Sequence, residues 1–330
     1  MTVSRVINNR ARVAATTRHQ VEKAIKDLGY VPNGLARGLQ RGRTHTIALI
    51  VSDISNPFFT LVARGVEDMA QSHGYALILG NSDESVQKEQ QYVNVMLSNR
   101  IDGLLLTPAG NGSSKTLRFL TRHLTKFVLI DRDIEGVSAD AVVGDSIGGA
   151  RMLTQHLLNL GHRRIALVTG QREVPTARDR LRGYEEALQA ESIAPHYSLI
   201  MEQNYTREGG FRATQQLLTL PPEERPTAIF ACNNFLGIGV IEALRDAQLE
   251  VPRDMAVVCF DDIEFASALH PFLTVLAQPA RTFGSIATQL LLERLDGAET
   301  SLPHKVVLPP TLIVRASCGA QLAKLGMRDA

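Results

Sequence analysis

Ile47-Ala48-Leu49-Ile50-Val51, running into Ser52-Asp53-Ile54-Ser55-Asn56-Pro57-Phe58-Phe59, is the stretch on which the fold turns. Five apolar residues without polar alternation read as a strand covered on both faces. A polar turn with a proline then opens a helical pattern, in which Leu61, Val62, Gly65, Val66, Met69 and Ala70 recur at helical spacing. Further strands are expected at Tyr75–Leu79, Gly103–Leu106 and Phe127–Ile130. The rhythm then returns in strands Ile165–Val168, Ala228–Ala231 and Ala256–Phe260, with helices Arg178–Ala190, Glu208–Leu218 and Gly237–Ala247. A late helix, Thr282–Leu295, precedes a strand-like Lys305–Leu308. Alternating strand and helix means a parallel sheet with helices on both faces, and two such runs predict two α/β lobes with a cleft between them.

Length and charge agree with a composite chain. At 330 residues and 44% apolar composition, more than one compact unit can form a core. Residues 1–46 carry nine Lys/Arg and two acids, a net of +7, whereas the rest carries 26 bases and 32 acids, a net of −6. A basic head on a mildly acidic body is the pattern of a nucleic-acid-binding segment joined to something else. The head is punctuated by Gly29, Pro32, Asn33 and Gly34, and a short helix over Leu35–Leu39 is expected as a hinge. Gly34 and Gly38 weaken it, so it should fold only against DNA and a partner chain. Three widely spaced cysteines, Cys232, Cys259 and Cys318, form no CxxC, which argues against a disulfide framework or zinc site. No signal segment or membrane span is apparent, and a cytoplasmic location is expected.

In an open parallel sheet, ligands meet the loops at the carboxyl ends of strands. Those positions hold Asp53, Asn56, Phe58 and Phe59, then Asp131-Arg132, then Thr176, Arg178, Arg180, Tyr205, Asn233-Asn234 and Asp261-Asp262. Carboxylates and guanidiniums bind vicinal hydroxyls, and an aromatic ring covers the apolar face of a sugar. Some of these side chains should be structural. One of the two phenylalanines is expected in the core, and Asn234 and Asp262 are expected as helix caps. Arg178 and Arg180 lie two apart, so they cannot both face the same way, and one should form an internal salt bridge.

Catalysis finds little support. No GxGxxG follows the first strand, and Gly110-Asn111-Gly112-Ser113-Ser114-Lys115-Thr116 has the wrong spacing for a phosphate loop. His162 reads as part of a Gly161-His162-Arg163-Arg164 turn rather than a metal ligand, and no Ser-His-acid order stands out. No catalytic residue, metal or cofactor is expected.

The residues match a family. Thr2–Asn8 (TVSRVIN), Thr17-Arg18, Leu28–Asn33 and Ala36-Arg37 resemble the DNA-binding segment of lac-repressor-type (LacI/GalR) regulators. Asp53–Phe59, Arg100–Gly103, Leu160–Ala166, Phe260–Asp262, Gln278-Pro279 and Leu308–Pro310 extend the resemblance over essentially the whole chain. It implies two doubly wound lobes of the type I periplasmic-binding-protein kind behind a truncated all-α helix-turn-helix head. The head and hinge would occupy residues 1–45 and the effector-binding, dimerising body residues 46–330. The N-lobe would take about 46–145 plus 278–306, and the C-lobe about 146–277 plus 307–330.

The implied activity is allosteric transcription control, with repression expected. A homodimer would grip a near-palindromic operator and answer to a monosaccharide or sugar acid. Thr2, Ser4, Arg5 and Asn8 would lie on the major-groove helix, and Asn33, Ala36, Arg37 and Leu39 at the hinge, with Leu39 wedging the minor groove. Effector contacts would be Phe58, Phe59, Asp131, Thr176, Arg178, Arg180, Tyr205, Asn233 and Asp261. Val174 stands where purine-responsive members place an Arg, which counts against a nucleobase. The resemblance also implies a first helix ahead of Thr2; a start codon assigned too late is the expected explanation. The alternative is a headless ligand-binding dimer that no longer binds DNA.

Overall fold

The computed structural model describes residues 2–7, 13–29, 43–297 and 302–320. It divides into two compact units, residues 1–45 and 46–330. In the first, α1 (Thr2–Ile7) packs against α2 (Ala15–Asp27). Val6 is buried while Val3 and Arg5 are exposed, and α2 buries none of its residues. Thr2, Ser4 and Arg5 therefore ride on α1. Asn8, Asn33, Ala36, Arg37, Leu39 and the hinge helix expected at 35–39 lie outside the described residues.

The larger unit has two six-stranded sheets built to one plan. The first runs β11-β5-β4-β3-β1-β2, all parallel: β1 (Thr46–Val51), β2 (Ala76–Asn81), β3 (Gly103–Leu106), β4 (Lys126–Asp131), β5 (Asp140–Gly144) and β11 (Lys305–Leu308). The second runs β12-β10-β9-β8-β6-β7, with β6 (Ile165–Thr169), β7 (Ile200–Glu202), β8 (Ala228–Ala231), β9 (Ala256–Phe260), β10 (Thr274–Ala277) and an antiparallel β12 (Thr311–Ile313). Ile47 through Val51 are wholly buried, which is why this strand shows no polar alternation. The edge strand β2 exposes Ile78 and Leu79 and lies one to two residues beyond its expected span.

Helices cover both sheets. α3 (Pro57–Ser72) starts where the Asn56 side chain caps the Phe58 N–H and Pro57 supplies a preset first turn. α4 (Val86–Ser98) and α5 (Ser114–Arg122) complete the first half of the chain. α6 (Ser146–Asn159), α7 (Pro175–Ala190), α8 (Arg207–Leu218), α9 (Asn234–Asp246) and the short α10 (Glu264–Leu269) belong to the second sheet, and α11 (Ala280–Leu295) returns to the first. α3 and α11 cross so closely that a Cβ on Gly65 would stand 2.0 Å from the Arg281 carbonyl, and one on Gly284 2.1 Å from that of Val62.

The chain passes between lobes three times: after β5, after β10 and between β11 and β12. Because β11 ends at Leu308, the third passage falls at Pro309-Pro310, past the boundary expected at 306. Each lobe has its own core, one including Tyr184 and Phe230, the other Phe58, Phe59 and Phe283.

Candidate effector site between the lobes

A cavity of about 880 Å³ lies between the carboxyl ends of the two sheets. Its walls come from equivalent positions in the two lobes. Asp131 ends β4 and Asp261 follows β9, and these strands occupy matching places in their sheets. Both aspartates have a left-handed backbone, φ 68° and 71°. Asp tolerates that conformation better than most residues, and such strained positions persist where surrounding structure holds them.

Of the nine expected effector contacts, Phe58, Phe59, Asp131, Thr176, Arg180, Tyr205, Asn233 and Asp261 line this cavity. Arg178 does not: it is half-exposed and pairs with Asp179 at 3.6 Å. Successive helix positions turn by about 100°, so directing Arg180 inward sends Arg178 to the surface. Phe58 and Phe59 are both buried, packed edge-to-face at 5.0 Å, and both belong to the N-lobe core while edging the cavity. The expected division of one core and one contact residue thus does not hold. The Tyr205 ring rests on Gly170, where a Cβ would approach to 2.6 Å.

The capping assignment is likewise reversed. Asn233 caps α9 by accepting from the Leu236 N–H at 2.8 Å, while also facing the cavity. Asn234 instead reaches across the cleft, its amide donating to Asn56 Oδ1 at 2.9 Å. A second bridge joins the lobes where the Asn111 N–H donates to the Glu173 carbonyl at 2.9 Å. These two hydrogen bonds tie the lobes together across the cavity.

The charged groups are arranged in pairs. Arg180 is buried, donates to the Cys232 carbonyl, lies 4.0 Å from Asp261, and stacks 3.7 Å from the centre of the Phe260 ring. Burial alone would lower its pKa, but Tyr205, Asp261 and Asp131 outweigh that and keep it charged. Burial pushes the Asp131 carboxyl up to about 6, against the opposing pull of Arg132 and Arg180. Burial also raises Asp261, although Arg180 and Gln278 act the other way. Gln278, on the second interlobe passage, donates to Asp261 Oδ1 at 2.8 Å. Buried Cys232 is pushed up to about 12 by desolvation, so its thiol stays protonated.

Strand-end reasoning also passed over several wall residues. Asp83 and Glu84 follow β2, and Ala109 through Gly112 follow β3. Applying the same rule to those two strands would have found them. Arg132, beside Asp131, is the other buried cavity arginine. Asp262 turns away to Arg315 and Ser267, and its pKa is lowered: burial raises it, and bonds from Arg315 and Ser267 more than compensate. Among the described residues, no group of three His, Cys, Asp or Glu side chains could hold a metal ion, and no helix is long and apolar enough to cross a membrane.

The larger unit thus holds a cavity between two matched lobes, and the N-terminal segment of the sequence is basic. Residues 1–33 match the family described as bacterial regulatory proteins, lacI family, and residues 154–318 match a periplasmic binding protein-like domain. The ribose operon repressor of Escherichia coli strain K12 is 35% identical over 317 residues, 96% of this chain and 95% of its own. The structure of the lac repressor dimer bound to operator and the anti-inducer ONPF superposes with a TM-score of 0.83 at 26% identity, covering 96% of this chain and 94% of that one. A LacI family regulator from Enterococcus faecium with bound ribose gives a TM-score of 0.72 at 28% identity, covering 82% of this chain and 98% of that one. This chain belongs to the lacI family of bacterial regulatory proteins.

Proposed function

We propose that the protein is a cytoplasmic, non-enzymatic transcriptional repressor whose affinity for its operator is set by a neutral monosaccharide held between the lobes. The observation that carries the effector class is the pairing of Asp131 and Asp261 from equivalent strand ends around one cavity, with Arg180 beside Asp261. Two carboxylates accept from vicinal hydroxyls, the guanidinium donates to a ring or hydroxyl oxygen, and Phe58, Phe59 and Tyr205 supply apolar walls. Six carboxylates line the cavity (Asp53, Asp83, Glu84, Asp131, Glu173 and Asp261) against two arginines, Arg132 and Arg180. That balance favours a neutral sugar over a sugar acid, and the ribose-linked relatives make D-ribose the first compound to try.

The reader of DNA is the basic head, whose α1 carries Thr2, Ser4 and Arg5 as the residues that recognise base edges and phosphates. Asn8, Asn33, Ala36, Arg37 and Leu39 act with them. Two chains related by a twofold axis hold the two halves of a near-palindromic site. Sugar binding stabilises the closed lobes, and the coupling to operator affinity is typically ~1–3 kcal/mol.

Isothermal titration against a sugar panel beginning with D-ribose, followed by operator-binding assays with and without the bound sugar, tests this reading. At least one sugar should bind with a 1:1 ratio per chain and change operator affinity. A chain that binds operator with the same affinity whatever sugar is bound would refute the allosteric assignment.

A further inference from the structure

Arg132 is as deeply buried as Arg180, yet it is not left open to a ligand. Its Nη1 lies 2.5 Å from Glu84 Oε2 and its Nη2 2.7 Å from Oε1, a two-point pair across 48 residues of sequence. Nη1 also donates to the Pro108 carbonyl at 2.9 Å, and Asp131 Oδ2 lies 3.5 Å from Nε. The Nη1–Nη2 edge, the fork that a guanidinium offers to an oxyanion, is thus occupied, while Nε makes no hydrogen bond and only the longer ion-pair contact with Asp131. Glu84 itself is an unusual residue to find there. Its φ is +56°, a conformation that a long side chain seldom adopts. The loop is pinned in that shape by the Glu84 N–H to the Ser52 carbonyl at 3.0 Å and the Ser82 N–H to Val51 at 2.9 Å. The neighbouring Asp83 is taken up by Lys88 and Asn81, so it does not compete for Arg132.

We propose that Glu84 is a specificity-determining residue, which fills the anion-binding fork of Arg132 with an internal carboxylate and so excludes phosphorylated and carboxylated sugars from the cavity. Arg132 then serves as a scaffold for the loop at Pro108 instead of a receptor for charge. This deepens the neutral-sugar reading above and rests on it. A ligand phosphate entering the wild-type cavity would have to displace a carboxylate that is already in two-point register, and would meet five further acids. With Glu84 removed, the buried guanidinium is left without its principal partner, and an oxyanion is the group that satisfies it.

Glu84→Gly is the informative variant, because glycine adopts the left-handed backbone freely and adds no strain to the loop; the Tm of each variant without phosphate is its own baseline, since the unpaired guanidinium lowers it. Glu84→Gln is the companion, keeping the side chain and removing only its charge. Thermal unfolding of the full chain is followed with and without inorganic phosphate, and affinities for D-ribose and D-ribose 5-phosphate are measured by titration. Wild type should show no phosphate-dependent rise in Tm. E84G should show one, E84Q a smaller one, and E84G/R132Q none. Where ribose binds, the affinity ratio of ribose 5-phosphate to ribose should rise about tenfold or more in E84G. Absence of phosphate stabilisation in E84G, or a phosphate effect that survives R132Q, overturns the role of Glu84. Failure of every sugar to bind wild type, with the phosphate effect present, refutes the sugar reading while leaving the Glu84–Arg132 assignment standing.

Discussion

Replacing Asp131 by Asn removes a buried negative charge from the cavity without asking the backbone to move, since Asn tolerates the φ of 68° at that position. The folded carboxyl titrates at about 6 instead of the ordinary 3.8, because desolvation disfavours the anion more than Arg132 and Arg180 favour it. The folded state therefore holds this proton more tightly than the unfolded chain does. Stability from this group is fully present below the unfolded value and is lost as pH rises through about 6. At about 1.36 kcal/mol per pKa unit, the deprotonated wild type at pH ~8 carries a cost of roughly 3 kcal/mol that an amide avoids. D131N should thus be more stable than wild type by up to ~3 kcal/mol at pH ~8, and the gain should nearly vanish at pH ~4. Urea unfolding of both proteins at several pH values reads the difference directly, because the other titrating groups are common to both. The same change should weaken sugar binding about ten- to a hundredfold, since charge-assisted hydrogen bonds become neutral ones. A variant less stable than wild type at the higher pH, or a gain that does not depend on pH, would refute the desolvation argument.

Other expectations concern the bridges, the helix crossing and the head. Asn234→Ala removes the hydrogen bond to Asn56 across the cleft. It should weaken effector affinity about fivefold, the value of a single hydrogen bond, and enlarge the radius of gyration seen by solution scattering. Gly65→Ala places a methyl 2.0 Å from the Arg281 carbonyl and should cost about 3 kcal/mol or more in urea unfolding, as α3 and α11 are forced apart. Arg5, exposed on α1, should be replaceable by Ala without loss of thermal stability. Operator affinity, read by fluorescence anisotropy, should fall about tenfold or more, and an unchanged affinity would remove Arg5 from the reading helix.

The central strands were legible because both faces are covered. Gly103–Leu106, Ala228–Ala231 and Ala256–Phe260 are unbroken apolar runs and form as read. Several strands toward the sheet margins were not, although the edge strand Lys305–Leu308 also forms as read. Residues 140–144, 274–277 and 311–313 pair at or near sheet margins with only three to five residues each, too few to show a period. α6 begins Ser146-Ile147-Gly148-Gly149, and its paired glycines mask a helical pattern that tertiary contacts restore. Within the cavity, strand-end positions were readable because topology alone delivers them. Partnership was not. Nothing in the chain order links Glu84 to Arg132, or says whether Asn233 or Asn234 takes the capping geometry; the extended backbone of Asn233 decides the latter.

Gln278 has a consequence for how a signal leaves the cavity. It sits on one of the three straps joining the lobes, and its amide is fastened to Asp261. Any rotation of one lobe against the other must twist that strap, and the twist pulls on a carboxylate in the cavity wall. One side-chain hydrogen bond thus ties the cavity wall to the strap directly, so a turn of the lobes and a shift of that carboxylate go together.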